Sequence, residues 1–328
     1  MRETAVRAAE GQLVKVSDVA LLKRLRVSGE WFRWMGEALM GRWATPRAAQ
    51  SLMMAGMRIR MVDGSQVSEP GATGSTWRVH YSTQLPSLAC DEVQVTTLAV
   101  GETLRRFRVA AGDLLIADRG FANRAGVRHV HHHGGAVIVR LNLTNLPLVD
   151  AKGRAFPLLR HLRSLSKARL GDWPAFIPAE KGQDAIAGRV CAIKKSKIAA
   201  QRARAKAETE AQRHGHQVQP ETLEAASYIF VFTTLGAEVQ ARAILELYRG
   251  RWQVELAFKR LKSLLALGHL KKVDPQGAKA WLQGKLLVAI LIETLIALAD
   301  RFFPWGYPIG PESPALPLAG DLPHAAPA

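Results

Sequence analysis

Tyr248, Arg251, Glu255 and Lys262 stand at offsets of 0, 3, 7 and 14 along one apolar-periodic stretch. On a single helix, at about 100° per residue, they fall within a sector of roughly 60°. Leu247, Val254, Phe258, Leu261 and Leu265 turn to a different face. One side would therefore pack into a core. The other presents a carboxylate bracketed by two cations and a phenol. Such a stripe suits a phosphodiester, because the carboxylate can hold a metal and the cations and phenol can hold phosphate oxygens. The same pattern also fits a solvated helix face, with Glu255 and Lys259 as an ordinary i,i+4 pair.

Two more acids end apolar runs. Asp63 closes Arg60-Met61-Val62-Asp63-Gly64, and Asp118 closes Leu115-Ile116-Ala117-Asp118-Arg119-Gly120-Phe121. Strand ends at one sheet edge can gather acids from distant positions. Converging carboxylates repel unless a divalent cation resolves them, and Mg²⁺ prefers oxygen ligands. Each acid has a plainer reading. Asp63-Gly64 also fits a hairpin turn, and Asp118 also fits the cap of a following helix. Asp91, Glu92 and Asp113 precede or start strands, so they would lie at the opposite edge.

The elements that must position these residues can be read in order. A helical pattern covers 17–42, and strands are expected at 57–62, 77–82, 93–100 and 107–109. A short buried strand at 114–117, a helix over 121–132 and a buried strand at 136–141 follow. Beyond about 145, Pro, Gly and basic residues increase. A strand at 189–195 and a charged, Ala-rich segment at 198–213 precede a strong strand signal at 228–234. Helices are expected over 237–266 and 276–302. A meander followed by alternating strands and helices indicates a mixed α/β sheet. The pattern is that of an RNase H-like core flanked by helices, with a long, partly β insertion before the last site-bearing helix. The expected divisions are an N-terminal helical segment 1–55, a first core part 56–144, an insertion 145–226, a second core part 227–302 and a Pro-rich disordered tail 303–328.

Lys and Arg number 45 against 28 Asp and Glu, a net charge of +17 over 328 residues. That excess points to a polyanion, with nucleic acid foremost. Two cysteines, Cys90 and Cys191, make neither a zinc-ligand spacing nor a disulfide framework. No signal peptide is evident, and the apolar run 286–299 is too short to cross a bilayer. A cytoplasmic location and a buried core helix at 286–299 are expected. Four histidines, His129 and His131 to His133, read as a solvated or DNA-facing patch rather than a metal site. The basic segment 194–206 fits a phosphate-contact surface or a solvated face equally.

The combination resembles a DDE transposase of the IS4 group, the insertion-sequence enzymes related to Tn5 transposase. Three motifs carry the resemblance: the strand into Asp63-Gly64 followed by Trp77-Arg78-Val79-His80; Asp118-Arg119-Gly120-Phe121; and Tyr-x2-Arg-x3-Glu-x6-Lys, met by Tyr248, Arg251, Glu255 and Lys262. It covers about residues 17–300. It implies a metal triad of Asp63, Asp118 and Glu255 holding two Mg²⁺ ions, with Mn²⁺ as a substitute. It implies cleavage and strand transfer of insertion-sequence ends in double-stranded DNA by a homodimer. Tyr248, Arg251 and Lys262 would contact phosphates. Trp173, in the insertion, would stack on a flipped base or simply pack there. Only 62 residues precede Asp63, fewer than the family's usual end-recognition region. Two alternatives stand beside the transposase: a metal-dependent nuclease of the same fold, and a truncated or non-catalytic DNA-binding remnant.

Overall fold

The computed structural model describes residues 2–42 and 56–302, apart from 73–75, 86, 143, 167–169, 181, 214, 269 and 271–273. The Pro-rich tail expected at 303–328 lies outside the described residues. Three helices open the chain: α1 (Arg2–Glu10), α2 (Asp18–Val27) and α3 (Gly29–Arg42). Ser17 caps α2, its hydroxyl accepting from the Ala20 N–H at 3.2 Å.

One eight-stranded sheet forms the centre. Its strands are β1 (Arg58–Val67), β2 (Trp77–Gln84), β3 (Cys90–Thr97), β4 (Asp113–Ala117), β5 (Ala136–Arg140), β6 (Gly171–Ile177), β7 (Ile186–Lys194) and β8 (Tyr228–Thr233). The spatial order is β3-β2-β1-β4-β5-β8-β7-β6. β1, β2 and β3 form an antiparallel meander, β4 and β5 run parallel to β1, and β8 returns antiparallel. This is an RNase H-like core. The parallel strands β4 and β5 are apolar except for Asp113 opening β4 and Arg140 closing β5, because both faces are covered.

The region 145–226 does not leave the sheet. β6 and β7 extend it through β8, and α5 (Leu158–Arg163), α6 (Lys197–Arg213) and α7 (Pro220–Ala225) pack around that extension. Pro174 sits in β6, where an edge strand tolerates the missing N–H. The expected strand at 107–109 is a loop after a short 3-10 turn, Leu104–Arg106. β1 does not end at Gly64 but runs on to Val67, so Asp63-Gly64 is strand and not a hairpin turn.

Met61, Val79, Ile116 and Ile138 face one layer, built from α8 (Ala241–Gly250), α9 (Trp252–Leu264) and α10 (Pro275–Phe302). Val62, Leu115, Ala117 and Val137 face the other, with α4 (Arg124–His132) and α5. Helix α10 is half-buried rather than buried throughout. Leu282, Leu286 and Ile290 are enclosed, but Leu291, Leu295 and Ile296 are exposed. Glu293 pins it to the sheet, accepting from the Tyr81 hydroxyl at 3.1 Å and the Cys90 N–H at 3.0 Å. No helix among the described residues is long and apolar enough to cross a membrane.

Candidate active site

The sheet register brings the two aspartates together. The last parallel pairs are Met61 with Ile116 and Val62 with Ala117. Asp63 and Asp118 are the next residues along, so they stand side by side where the β1–β4 pairing ends, Asp63 within β1 and Asp118 just past the end of β4. Side chains alternate along a strand, so both share the face of Met61 and Ile116, beneath α8 and α9. The next strand repeats the pattern. Ala117 pairs with Val139, which sets Arg140 beside Asp118.

The helix above breaks where the sequence suggests continuity. α8 ends at Gly250 and α9 starts at Trp252, with Arg251 between them. The Arg251 N–H donates to the Tyr248 carbonyl and the Val254 N–H to the Arg251 carbonyl, both at 3.1 Å. These three-residue bonds tighten the chain locally. Tyr248 is buried, and its hydroxyl donates to Asp118 Oδ1 at 3.0 Å. Arg251 reaches Asp63, with Nη1 3.9 Å from Oδ2, and also hydrogen-bonds Glu255 through Nη2. Glu255 is the most open of the group, its side chain 56% exposed. Lys262 is exposed two turns further on, about 10 Å along the helix axis.

The charges are unevenly resolved. Burial pushes the Asp63 carboxyl up to about 6, against the Gly64 N–H and Arg251, and with help from Asp118 and Glu102. Burial also raises Asp118, but Arg251, the Arg119 N–H, Arg140 and Tyr248 outweigh it and hold that carboxyl below its ordinary value. Arg251 is held protonated by Asp118, Tyr248 and Glu255 despite its burial. Asp63 is thus a half-compensated buried acid beside an ionised one. A divalent cation relieves that repulsion, and the donors are all oxygens, as a hard cation requires. Asp63 and Asp118 fit such an ion. Glu255 is turned onto Arg251, and among the described residues no three acidic, His or Cys side chains are close enough to enclose a metal.

Two further residues belong here. Arg140 was legible only as the end of the buried run Ala136-Val137-Ile138-Val139, a copy of the run that ends in Asp118. Glu102 reaches in from the β3–β4 connection. An ideal Cβ on Gly64 would lie 2.9 Å from its Oε1, and one on Gly120 2.1 Å from its Oε2. Gly64, directly after Asp63, and Gly120, two residues after Asp118, make room for this carboxylate, which Arg78 faces at 3.7 Å.

Trp173 lies elsewhere. It stacks on His161 at 4.8 Å, which stacks on Phe156 at 5.0 Å. Its strand β6 is four places from β4, about 19 Å at the usual strand spacing. The structure places it by the packed alternative, not beside the aspartates. Asp91, Glu92 and Asp113 are at the opposite edge, neutralised by Arg58 and Arg60. The rings of His129 and His133 meet at 4.5 Å, tilted by 52°, and form no metal cluster among the described residues.

Residues 91–291 match the family described as the transposase DDE domain. The chain is 35% identical over 309 residues to the InsL protein for insertion sequence element IS186A of Escherichia coli strain K12, covering 93% of this chain and 82% of the relative. It matches the transposase for insertion sequence element IS421 of Escherichia coli to the same extent. Among solved structures, a piggyBac transposase synaptic complex with hairpin DNA aligns at a TM-score of 0.40 and 7% identity, covering 74% of this chain and 48% of that one. Dependence on a divalent metal goes with the family. The sequence matches, with the acidic strand ends of an RNase H-like sheet, settle the family: the chain belongs to the DDE transposases, as a DNA transposase of the IS4 type.

Proposed function

We propose that Asp63, Asp118 and Glu255 are the carboxylate triad with which this transposase cleaves insertion-sequence ends and joins them to target DNA. The observation that carries the reading is the register of β1 against β4, which sets Asp63 beside Asp118 under Arg251. Mg²⁺, as two ions with Mn²⁺ as a substitute, is the cation proposed; bound there it would supply Lewis-acid charge to the nucleophile and the leaving oxygen. Asp63 and Asp118 would hold it, with Glu255 completing the set. Among the described residues Glu255 has one ion-pair partner, Arg251, and its side chain is exposed, so releasing it from that pair costs little.

Each neighbour then has a role. Tyr248 orients Asp118 through its hydroxyl, a positioning role in place of a phosphate contact. Arg251, released from Glu255, faces the developing charge on the phosphate, where a guanidinium binds two oxygens in one plane. Lys262 grips the backbone a step away. The partner is double-stranded DNA, bound by a homodimer that holds two ends.

The test is metal-dependent nicking of a labelled duplex carrying an insertion-sequence end. Wild type should nick in Mg²⁺ and join a pre-cleaved end to a target plasmid. Glu255→Ala should lose both by at least about a hundredfold, while keeping DNA affinity within about twofold. Nicking that persists in Glu255→Ala would remove this residue from the triad. Cleavage without joining would indicate a nuclease.

A further inference from the structure

The carboxyl ends of β4 and β5 open onto a cavity of about 500 Å³ whose lining includes neither Asp63 nor Glu255. Asp118 borders it. Arg119, Arg140, Lys195 and Lys206 line it, and Leu159 and Phe230 add apolar surface. Two of the cations come from the inserted region: Lys195 directly after β7, and Lys206 on α6. Lys195 is half-buried and fixed, its Nζ donating to the Ala226 carbonyl at 2.8 Å. Burial, and then the charge of Arg140, pull its pKa below the ordinary lysine value. Among the described residues, no carboxylate forms an ion pair with Arg140, Lys195 or Lys206. The acids on the cavity wall besides Asp118 are Glu210 and Glu221, both exposed.

Four cations against three carboxylates leave the cavity wall net positive, and a net positive, partly enclosed wall favours an incoming anion. The volume suits a ligand of nucleotide size and is far too small for a duplex. Apolar surface beside the cations suits a base next to its phosphates. We propose that this cavity is a nucleotide subsite, taking one nucleotide of a DNA strand engaged at Asp118, with Lys195 and Lys206 holding its phosphates. That the strand is engaged at Asp118 rests on the triad reading; the subsite itself stands on the cations and the cavity.

Thymidine 3′,5′-bisphosphate is the probe, titrated calorimetrically into the full chain in EDTA, so that no metal at the triad contributes. Wild type should bind one equivalent. Lys195→Gln and Lys206→Gln should each weaken binding about tenfold, the scale of one charge-assisted contact. Lys195→Arg should retain it. Arg202→Gln, exposed on α6 and outside the cavity lining, should change nothing. If Lys195→Gln does not fold, Lys206→Gln carries the test from an exposed helix position. No binding by wild type, unchanged affinity in the folded Gln variants, or an equal loss in Arg202→Gln would overturn the subsite. Metal-dependent cleavage measured alongside separates the two readings. Cleavage without bisphosphate binding removes only the subsite, and binding without cleavage by wild type removes only the triad.

Discussion

Asp63 is where the site stores its tension. Its carboxyl is raised from 3.8 to about 6, chiefly by burial. The folded chain therefore holds that proton more tightly than the unfolded chain, and stability contributed here falls as pH rises through that window. Above pH 6 the folded state carries a poorly compensated charge. Asp63→Asn should raise unfolding stability at pH 7.5 by up to about 3 kcal/mol, and should flatten the stability profile between about pH 4 and 6. Urea denaturation in EDTA measures both. A variant no more stable than wild type at pH 7.5 would contradict the strained carboxylate. Mg²⁺ should raise the melting temperature of wild type but not of Asp63→Asn, because the cation supplies the charge that the substitution removes.

At the scale of elements, two glycine-dependent approaches shape the site. Gly64 and Gly120 admit Glu102, and Gly188 lets β7 lie against β8. An ideal Cβ on Gly188 would sit 2.5 Å from both Phe232 Cζ and the Thr233 carbonyl oxygen. The second neighbour is backbone and cannot step aside. Gly188→Ala should cost about 1–3 kcal/mol of stability, measured by thermal unfolding; a variant that melts with wild type would show that β7 can shift freely on β8. Local sequence was a good guide where a run was uniformly apolar, as in β4, β5 and β8. It failed where tertiary pairing overrode local signals. Gly171 and Pro174 disguise β6 as a loop, because nothing local reveals that this strand is an edge. Asp63-Gly64 carries a turn signature, yet pairing with β2, Asp63 to Tyr81 and Gly64 to His80, holds it extended. The run from Tyr248 to Lys262 keeps one helical period, so the break at Arg251 leaves no mark in the pattern.

Over the whole molecule, the net charge of +17 predicts DNA binding that weakens steeply with salt. Lys262 is exposed beside the site and has no ion-pair partner among the described residues. Lys262→Ala should lower the slope of log affinity against log salt by about one unit, read by fluorescence anisotropy on an end-containing duplex. An unchanged slope would remove Lys262 from the phosphate contacts. Charge balance, the apolar runs closed by Asp63 and Asp118, and the spacing of Tyr248, Arg251, Glu255 and Lys262 are properties of the sequence by itself, since each is a count or a short-range pattern. Only the tertiary structure decided which of those groups meet. Residues as far apart in the chain as Tyr248 and Asp118, 130 positions, or Arg251 and Asp63 become neighbours through strand pairing and layer packing, a non-local choice that no local pattern encodes. That choice set Asp63 beside Asp118, added Arg140 and Glu102 to them, turned Tyr248 onto a carboxylate, and left Trp173 stacked at the far edge of the sheet.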